Sequence, residues 1–292
     1  MDKSKSFARP MFEGRYYKQQ NGRDTIAFIP ARHCGQDGRP SASLQAIVNR
    51  EVYQFELPGD AFSMLPDGSG IRLGDSVFSQ RGCLLDCAGE RCRITGALRY
   101  GPARAPSYDM MGPFCLVPFM QCRHSVFSLS HRVEGELRVN GRPYRFIRGT
   151  GYIEGDRGVS FPSRYLWTQG NWRDNCVMLS VADIPLAGLR FTGCIGAVLY
   201  EGVEYRLATY LGVRVEHIDG NHVLVRQGGC TLQVRLLDAS PSPLRAPQTG
   251  RMSRTIHESA ACRVRYTFRR DGATLFDVVL RHASYENAWT NC

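Results

Sequence analysis

The feature that most constrains this chain is a hairpin signal that recurs along its whole length. Gly14–Gln20 and Asp24–Pro30 flank Asn21-Gly22, Val133–Val139 and Tyr144–Gly149 flank Asn140-Gly141, and Ala261–Arg270 and Ala273–Arg281 flank Asp271-Gly272. An Asn-Gly or Asp-Gly pair accepts positive φ at both central positions of a tight turn, and such a turn twists in the same sense as the strands it joins. Asp219-Gly220-Asn221 and Gly228-Gly229 repeat the device between Arg214–Ile218, His222–Gln227 and Thr231–Leu237. Further short strands are read at Ser43–Val48, Val52–Leu57, Ile71–Gln80, Gly82–Cys87, Arg91–Tyr100, Cys176–Val181, Gly193–Tyr200 and Val203–Leu211, with loops at Pro58–Gly70 and Ser240–Gly250. Many short strands without an amphipathic helix argue an all-β sandwich or barrel. No fixed-period repeat is visible, which disfavours a propeller. The break at Gly101-Pro102-Ala103-Arg104-Ala105-Pro106 divides the chain into regions 1–112 and 113–292, with 113–150 able to complete either half.

Composition narrows the partners. The net charge of +10 comes mainly from arginines placed singly along strands, such as Arg206, Arg214, Arg226 and Arg235. These read as solvated faces, and with no recognition motif nucleic acid is not an expected partner. Attraction to anionic lipid headgroups, and with it peripheral membrane contact, is the weaker reading of the same charge. The eleven cysteines are odd in number and scattered, and the start MDKSKSFARP has no apolar export region. Reduced thiols in a cytoplasmic protein are therefore expected. No run is long and apolar enough to span a bilayer as a helix. The oligomeric state is left open.

The densest cluster of aromatic, acidic and Gly/Pro positions is RGTGYIEGDRGVSFPSRYLWTQGN, 148–171. It reads as two strands around a turn at Gly155-Asp156-Arg157-Gly158. Tyr152 and Glu154 share a face in the first strand, and Tyr165, Trp167, Gln169 and Asn171 share one in the second. Rings and amides on one face suit the wall of a pocket for a hydrophobic small molecule; a plain sheet with its aromatics packed inside is the alternative. Asp156 is either an in-pocket carboxyl or a turn cap bonding its own backbone. No phosphate-cradling glycine loop opens a helix, and Cys83, Cys87 and Cys92 lack zinc spacing and a nearby His, so no cofactor and no metal are expected. His124 and His131, seven apart in an extended run, face opposite ways.

The segment GYIEGDRGVSFPSRYLWTQGN (151–171) resembles the signature of the tocopherol cyclase family. MGPFCLVPFMQCRHSVFSLSHRVEGELRVNG (111–141) and EGRYYKQQNGRDTIAFIPA (13–31) resemble the segments before it, in family order. One departure is Arg157, which stands where the family commonly has tryptophan. The resemblance implies an all-β fold of two lipocalin-like antiparallel β-barrels or half-barrels packed together. It also implies a tocopherol cyclase-like enzyme, in which alkene protonation is followed by capture of the cation by a phenol oxygen. A non-catalytic carrier of an isoprenoid or pigment is the alternative. On the cyclase reading, Glu154 is the first choice of acid and Asp156 the second. His124 positions the phenol or relays a proton, or else makes a structural hydrogen bond. Tyr152, Tyr165 and Trp167 face the cation, Gln169 and Asn171 orient hydroxyls, and Arg123 accompanies His124.

Overall fold

The computed structural model describes residues 10–117, 120–186 and 189–289. Residues 1–9, which hold most of the polar start of the chain, and 118–119, within the apolar run 112–120, lie outside the described part. The first strands are β1 (Met11–Gln20), β2 (Thr25–Cys34), β3 (Pro40–Val48), β4 (Glu51–Pro58), β5 (Phe62–Met64), β6 (Gly70–Leu73) and β7 (Ser76–Ser79). Next come β8 (Gly82–Ala88), β9 (Arg93–Tyr100), β10 (Cys122–Val139), β11 (Arg142–Gly158), β12 (Tyr165–Trp172), β13 (Asn175–Leu186) and β14 (Leu189–Tyr200). The last are β15 (Val203–Ala208), β16 (Arg214–Ile218), β17 (His222–Gln227), β18 (Cys230–Asp238), β19 (Ser242–Gln248), β20 (Arg251–Arg270) and β21 (Ala273–Asn287). The described residues contain short 3-10 turns and no α-helix, so the all-β expectation holds.

The chain forms two compact units that alternate along it. The first takes the chain up to Ala105, then Gln121–Phe161 and Leu244–Thr255; the second takes Pro106–Met120, Pro162–Pro243 and the chain from Ile256. The 11-stranded sheet runs β4-β3-β2-β1-β11-β10-β9-β8-β7-β6-β5. Its first and last strands in sequence, β1 and β11, pair side by side. Its two edges, β4 and β5, are separated only by the turn Gly59–Ala61. A sheet whose edges lie that close along the chain must curl back on itself, which gives a nearly closed up-and-down barrel. One face of it carries a continuous core including Tyr17, Phe28, Leu44, Phe78, Phe146 and Ile153.

The second sheet follows the same plan. Its order is β15-β14-β13-β12-β21-β20-β18-β17-β16, with β12 against β21 as the first–last pair. Its edges β15 and β16 are again joined through a short turn, Thr209–Leu211. Here a side chain stitches the seam: Gln227 donates to the Arg206 carbonyl (2.8 Å) and accepts from the Ala208 N–H (2.9 Å), standing in for a ladder bond. Leu166, Val181, Val198, Val234, Tyr266 and Phe268 lie in its core. Arg206, read as solvated from sequence, is buried: it pairs with Glu204, donates to the Tyr108 and Asp109 carbonyls, and lies over the Tyr108 ring.

Turn chemistry follows the sequence reading at two of its three Asn-Gly and Asp-Gly pairs; at Asn21-Gly22 only Gly22 takes positive φ. Asn140-Gly141 (φ 50° and 82°) and Asp271-Gly272 (50° and 83°) take positive φ at both positions. Four readings change. Gly155–Gly158 is not a turn but the end of β11, paired with β1 on one side and β10 on the other. Gly155 is there for close approach, because a Cβ would stand 2.9 Å from the Gly14 carbonyl oxygen and 3.1 Å from the Phe127 ring. The loop 58–70 contains β5, and the run 71–80 is split at Gly74, whose φ of 57° lets the chain reverse. The proline-rich 240–250 contains β19, which pairs with β20. An edge strand tolerates proline because one side needs no N–H, and there the Gln45 amide both donates to and accepts from the Arg245 backbone (2.9 and 2.7 Å).

His131 is buried in the first unit against the Tyr100 ring, its Nδ1 on Ser128 Oγ (2.9 Å) and its Nε2 without a partner. Burial pushes its pKa down to about 4. The unfolded chain therefore takes up this proton near pH 6.5 and the folded one only near 4, so the stability it confers is lost as pH falls through that window. His131→Phe is expected to remove about 3 kcal/mol of acid sensitivity between those limits, measured as a flatter dependence of urea midpoint on pH. An unchanged slope would show that His131 does not titrate in this way.

Candidate active site

Strand β11 sets the site through its register. Tyr152 lies opposite Lys18, Glu154 opposite Tyr16 and Val126, and Asp156 opposite Gly14 and His124. Partners in an antiparallel ladder share a face, so Tyr152, Glu154, Asp156, His124, Cys122, Tyr16 and Lys18 lie together. Tyr17 and Ile153, one residue out of phase, belong to the core on the other face. The titratable set therefore occupies the side of the sheet away from the hydrophobic cluster. It is nevertheless withdrawn from water: Tyr152 is 0%, Lys18 2% and Glu154 6% exposed.

These groups form one connected polar set, joined by hydrogen bonds and by the close approach of His124 to Glu154. Tyr152 donates its hydroxyl to Glu154 Oε2 (2.6 Å), and His124 Nε2 lies 3.4 Å from the same oxygen. The other ring nitrogen, Nδ1, is 3.0 Å from Asp156 Oδ1, which also accepts from the Cys122 thiol (3.5 Å). Burial works against a charged imidazole, but Asp156 and Glu154 outweigh it and raise the His124 pKa well above the ordinary histidine value. Burial, reinforced by Asp156, pushes the Cys122 thiol far up, so it remains an S–H donor. Asp156 and Glu154 thus favour the protonated form of His124. Asp156 is not a turn cap; it orients the ring and accepts from it. Arg123 lies opposite Arg157 and so on the other face from His124. His131 pairs with Gly151 and also faces away from His124, as expected from sequence.

Tyr165, Trp167, Gln169 and Asn171 belong to the second unit, on β12. They share a face, as their alternation indicates, and it too is the one away from that unit's core, which takes Leu166. All four are buried. Tyr165 donates to Glu286 and Gln169 to Asn171. Glu286 and its ladder partner Glu258 are buried carboxylates that the sequence reading does not single out. A lone Glu within an alternating strand carries no local signal of burial. Cys122 and Lys18 escape for the same reason.

Two groups of His, Asp and Glu among the described residues have ligand atoms within 4.8 Å of one another: His124 with Glu154 and Asp156, and His217 with Asp219 and His222. In the first, His124 Nδ1 is hydrogen-bonded to Asp156, and Nε2 lies 3.4 Å from Glu154. Cys83, Cys87 and Cys92 form no such group among the described residues, and the described cysteines are free thiols. No helix among the described residues is long and apolar enough to cross a membrane.

The molecule is thus built on up-and-down β-barrel sheets that carry buried polar faces. No family model and no curated protein matches the chain. Solved structures do match its fold. CghA, in its structure with Sch210972, superposes with a TM-score of 0.62 at 11% identity, over 95% of this chain and 88% of that one. Kievitone hydratase from Nectria haematococca gives 0.55 at 9% identity, covering 97% and 89%. An AttH-like protein of Nitrosomonas europaea gives 0.52 at 12%, covering 97% and 93%. At these identities the likeness establishes a shared lipocalin-like barrel fold.

The raised pKa of His124 means that the folded protein holds this proton more tightly than the unfolded chain. The resulting stability is fully present below about pH 6.5 and is lost as pH rises through the raised value. Thermal scans of wild type and His124→Gln should therefore diverge most in mildly acidic to neutral buffer and converge toward alkaline pH. A constant gap across the range would refute the charged assignment.

Proposed function

We propose that this protein is an acid–base catalyst acting on a lipophilic alkene, and that its specific reaction is closure of a prenylated hydroquinone to a chromanol, as in tocopherol cyclases. The observation that carries the reading is the buried chain Tyr152–Glu154–His124–Asp156. A proton is transferred to the less substituted alkene carbon, leaving a tertiary cation; the phenol oxygen bonds to that cation and its own proton returns to the network. Substrate and product are isomers, and no redox partner is consumed.

The geometry suits both halves of this reaction. A protonated imidazole held beside carboxyl groups is a weak acid, so proton transfer to the alkene is the demanding step, and the tertiary cation it leaves is captured by the phenol oxygen. The carboxyl groups that favour the protonated imidazole also favour a cation developing beside them as the proton leaves. Fixed charge of the opposite sign in a water-poor site is an effective source of transition-state stabilisation. Glu154, first choice as acid from sequence, is better placed as the group that receives the phenol proton, with His124 as the donor. Hydration of the same alkene is the second reading, favoured by a fold neighbour that is named a hydratase; water would then take the place of the phenol oxygen.

The test is incubation of the protein with a hydroquinone bearing a prenyl chain, in deuterated water. Cyclisation gives an isomer carrying one deuterium at the protonated carbon; hydration adds one water. General acid–base groups typically contribute about 10²–10⁴-fold, so His124→Gln and Glu154→Gln are each expected to lower turnover by about 100-fold or more while leaving ligand affinity nearly unchanged. Unaltered turnover in either variant would remove that residue from the chemistry, and a ligand bound but returned unchanged would make the protein a carrier. Independently, Trp167→Ala is expected to weaken binding of an apolar ligand; an unchanged affinity would assign Trp167 to packing alone.

A further inference from the structure

We propose that the tip of the β16–β17 hairpin is a binding site for a divalent transition-metal ion of the zinc class, with His217, Asp219 and His222 as ligands. One ligand atom from each lies within 4.8 Å of the others. His217 Nε2 is 2.8 Å from Asp219 Oδ2, and the two imidazole rings lie 4.6 Å apart. A tight turn brings the three together: His217 is the penultimate residue of one strand, Asp219 opens the reversal and His222 begins the next strand. Two imidazoles and a carboxylate suit zinc, nickel, copper or iron better than magnesium or calcium, which prefer all-oxygen shells. Three protein ligands leave room in a four-coordinate shell for a water or an exogenous group.

The ligands are held in advance of any ion. Asp219 Oδ1 accepts the backbone N–H groups of Asn221 and His222 (2.8 Å each), which leaves Oδ2 as the outward oxygen. The turn itself is pinned from neighbouring strands. Leu236 N–H donates to the Asn221 carbonyl (2.8 Å), and Tyr285 Oη and Asn287 Nδ2 donate to the Gly220 carbonyl (3.3 and 3.2 Å). Behind His222, the Gln233 side-chain amide lies 2.9 Å from His222 Nε2; turned with its carbonyl toward the ring, it accepts from that nitrogen and from Arg235. That bond fixes the tautomer and leaves Nδ1 as the basic nitrogen, the usual second partner of a metal-binding histidine. Ligands already ordered lose little further entropy on binding. The sequence reading takes Asp219-Gly220-Asn221 only as a hairpin turn; the His-x-Asp-x-x-His spacing around it is the signal.

The experiment is calorimetric titration of the chelator-treated full-length protein with zinc, alongside cobalt(II) absorption spectra. Wild type is expected to bind one ion at this site, and the cobalt spectrum to lack thiolate charge-transfer bands. His217→Ala and His222→Ala should each weaken binding by about tenfold or more. Asp219→Asn should weaken it while keeping the turn, because an amide oxygen can still accept the two backbone N–H groups. His124→Gln should leave the affinity unchanged. Absence of binding, thiolate bands in the cobalt spectrum, equal affinity in the His217→Ala/His222→Ala double variant, or loss in His124→Gln alone would each overturn the proposal. Circular dichroism of every variant confirms that it is folded.

Discussion

The stretch Gly151–Gly155 of strand β11 is buried on both faces, and much else follows from that constraint. Ile153 goes into the hydrophobic core on one side, while Tyr152 and Glu154 are withdrawn from water on the other. An apolar residue gains from burial on either side, but a carboxylate does not. Removing an unpaired charge from water costs several kcal/mol even after relaxation. The second face is therefore stable only if its charges are matched. His124 supplies the match by lying between Glu154 and Asp156, and Tyr152 and Cys122 supply the remaining donors.

The same arrangement is the basis of the proposed acid–base role. A network built for stability alone could use neutral partners at lower cost, since ion pairs in the interior often stabilise less than apolar groups of equal volume. Here the buried set combines a proton held by an imidazole with carboxylates able to receive it. Both arms of the set come from one ladder, so their spacing is fixed by strand geometry and not by a loop. Gly155 and Gly14 maintain that spacing, because a side chain at Gly155 would meet the neighbouring backbone and move the strands apart.

Hairpins, turn residues and the alternation of Tyr165, Trp167, Gln169 and Asn171 were legible because each depends on residues adjacent in sequence. Asn140-Gly141 and Asp271-Gly272 needed no distant information. Gly155-Asp156-Arg157-Gly158 misled because its composition is that of a turn, whereas the strand continues through two long-range ladders with β1 and β10. The role of Asp156 changes with that register. The alternation of Tyr152 with Glu154 was visible, but their link to His124 across β10 was not, since no local pattern reports which strands will be neighbours. Arg123 illustrates the same limit: it adjoins His124 in sequence and points to the other face. Glu286 is set opposite Trp167 only by the β12–β21 ladder.

In both sheets the first strand pairs with the last, β1 with β11 and β12 with β21, and this has a consequence for how the protein is made. Loop-closure entropy must be overcome before such distant pairings return any stability, so folding is slow for this kind of topology. Alternation of the two units along the chain adds to the delay. The first unit includes Leu244–Thr255, so during synthesis it remains incomplete until most of the second has been translated. In the interval β1 and β11 can already pair while later segments are missing, and unpaired strand edges are templates for wrong partners. The nascent chain therefore depends on assistance or on speed at a stage when the finished protein would need neither.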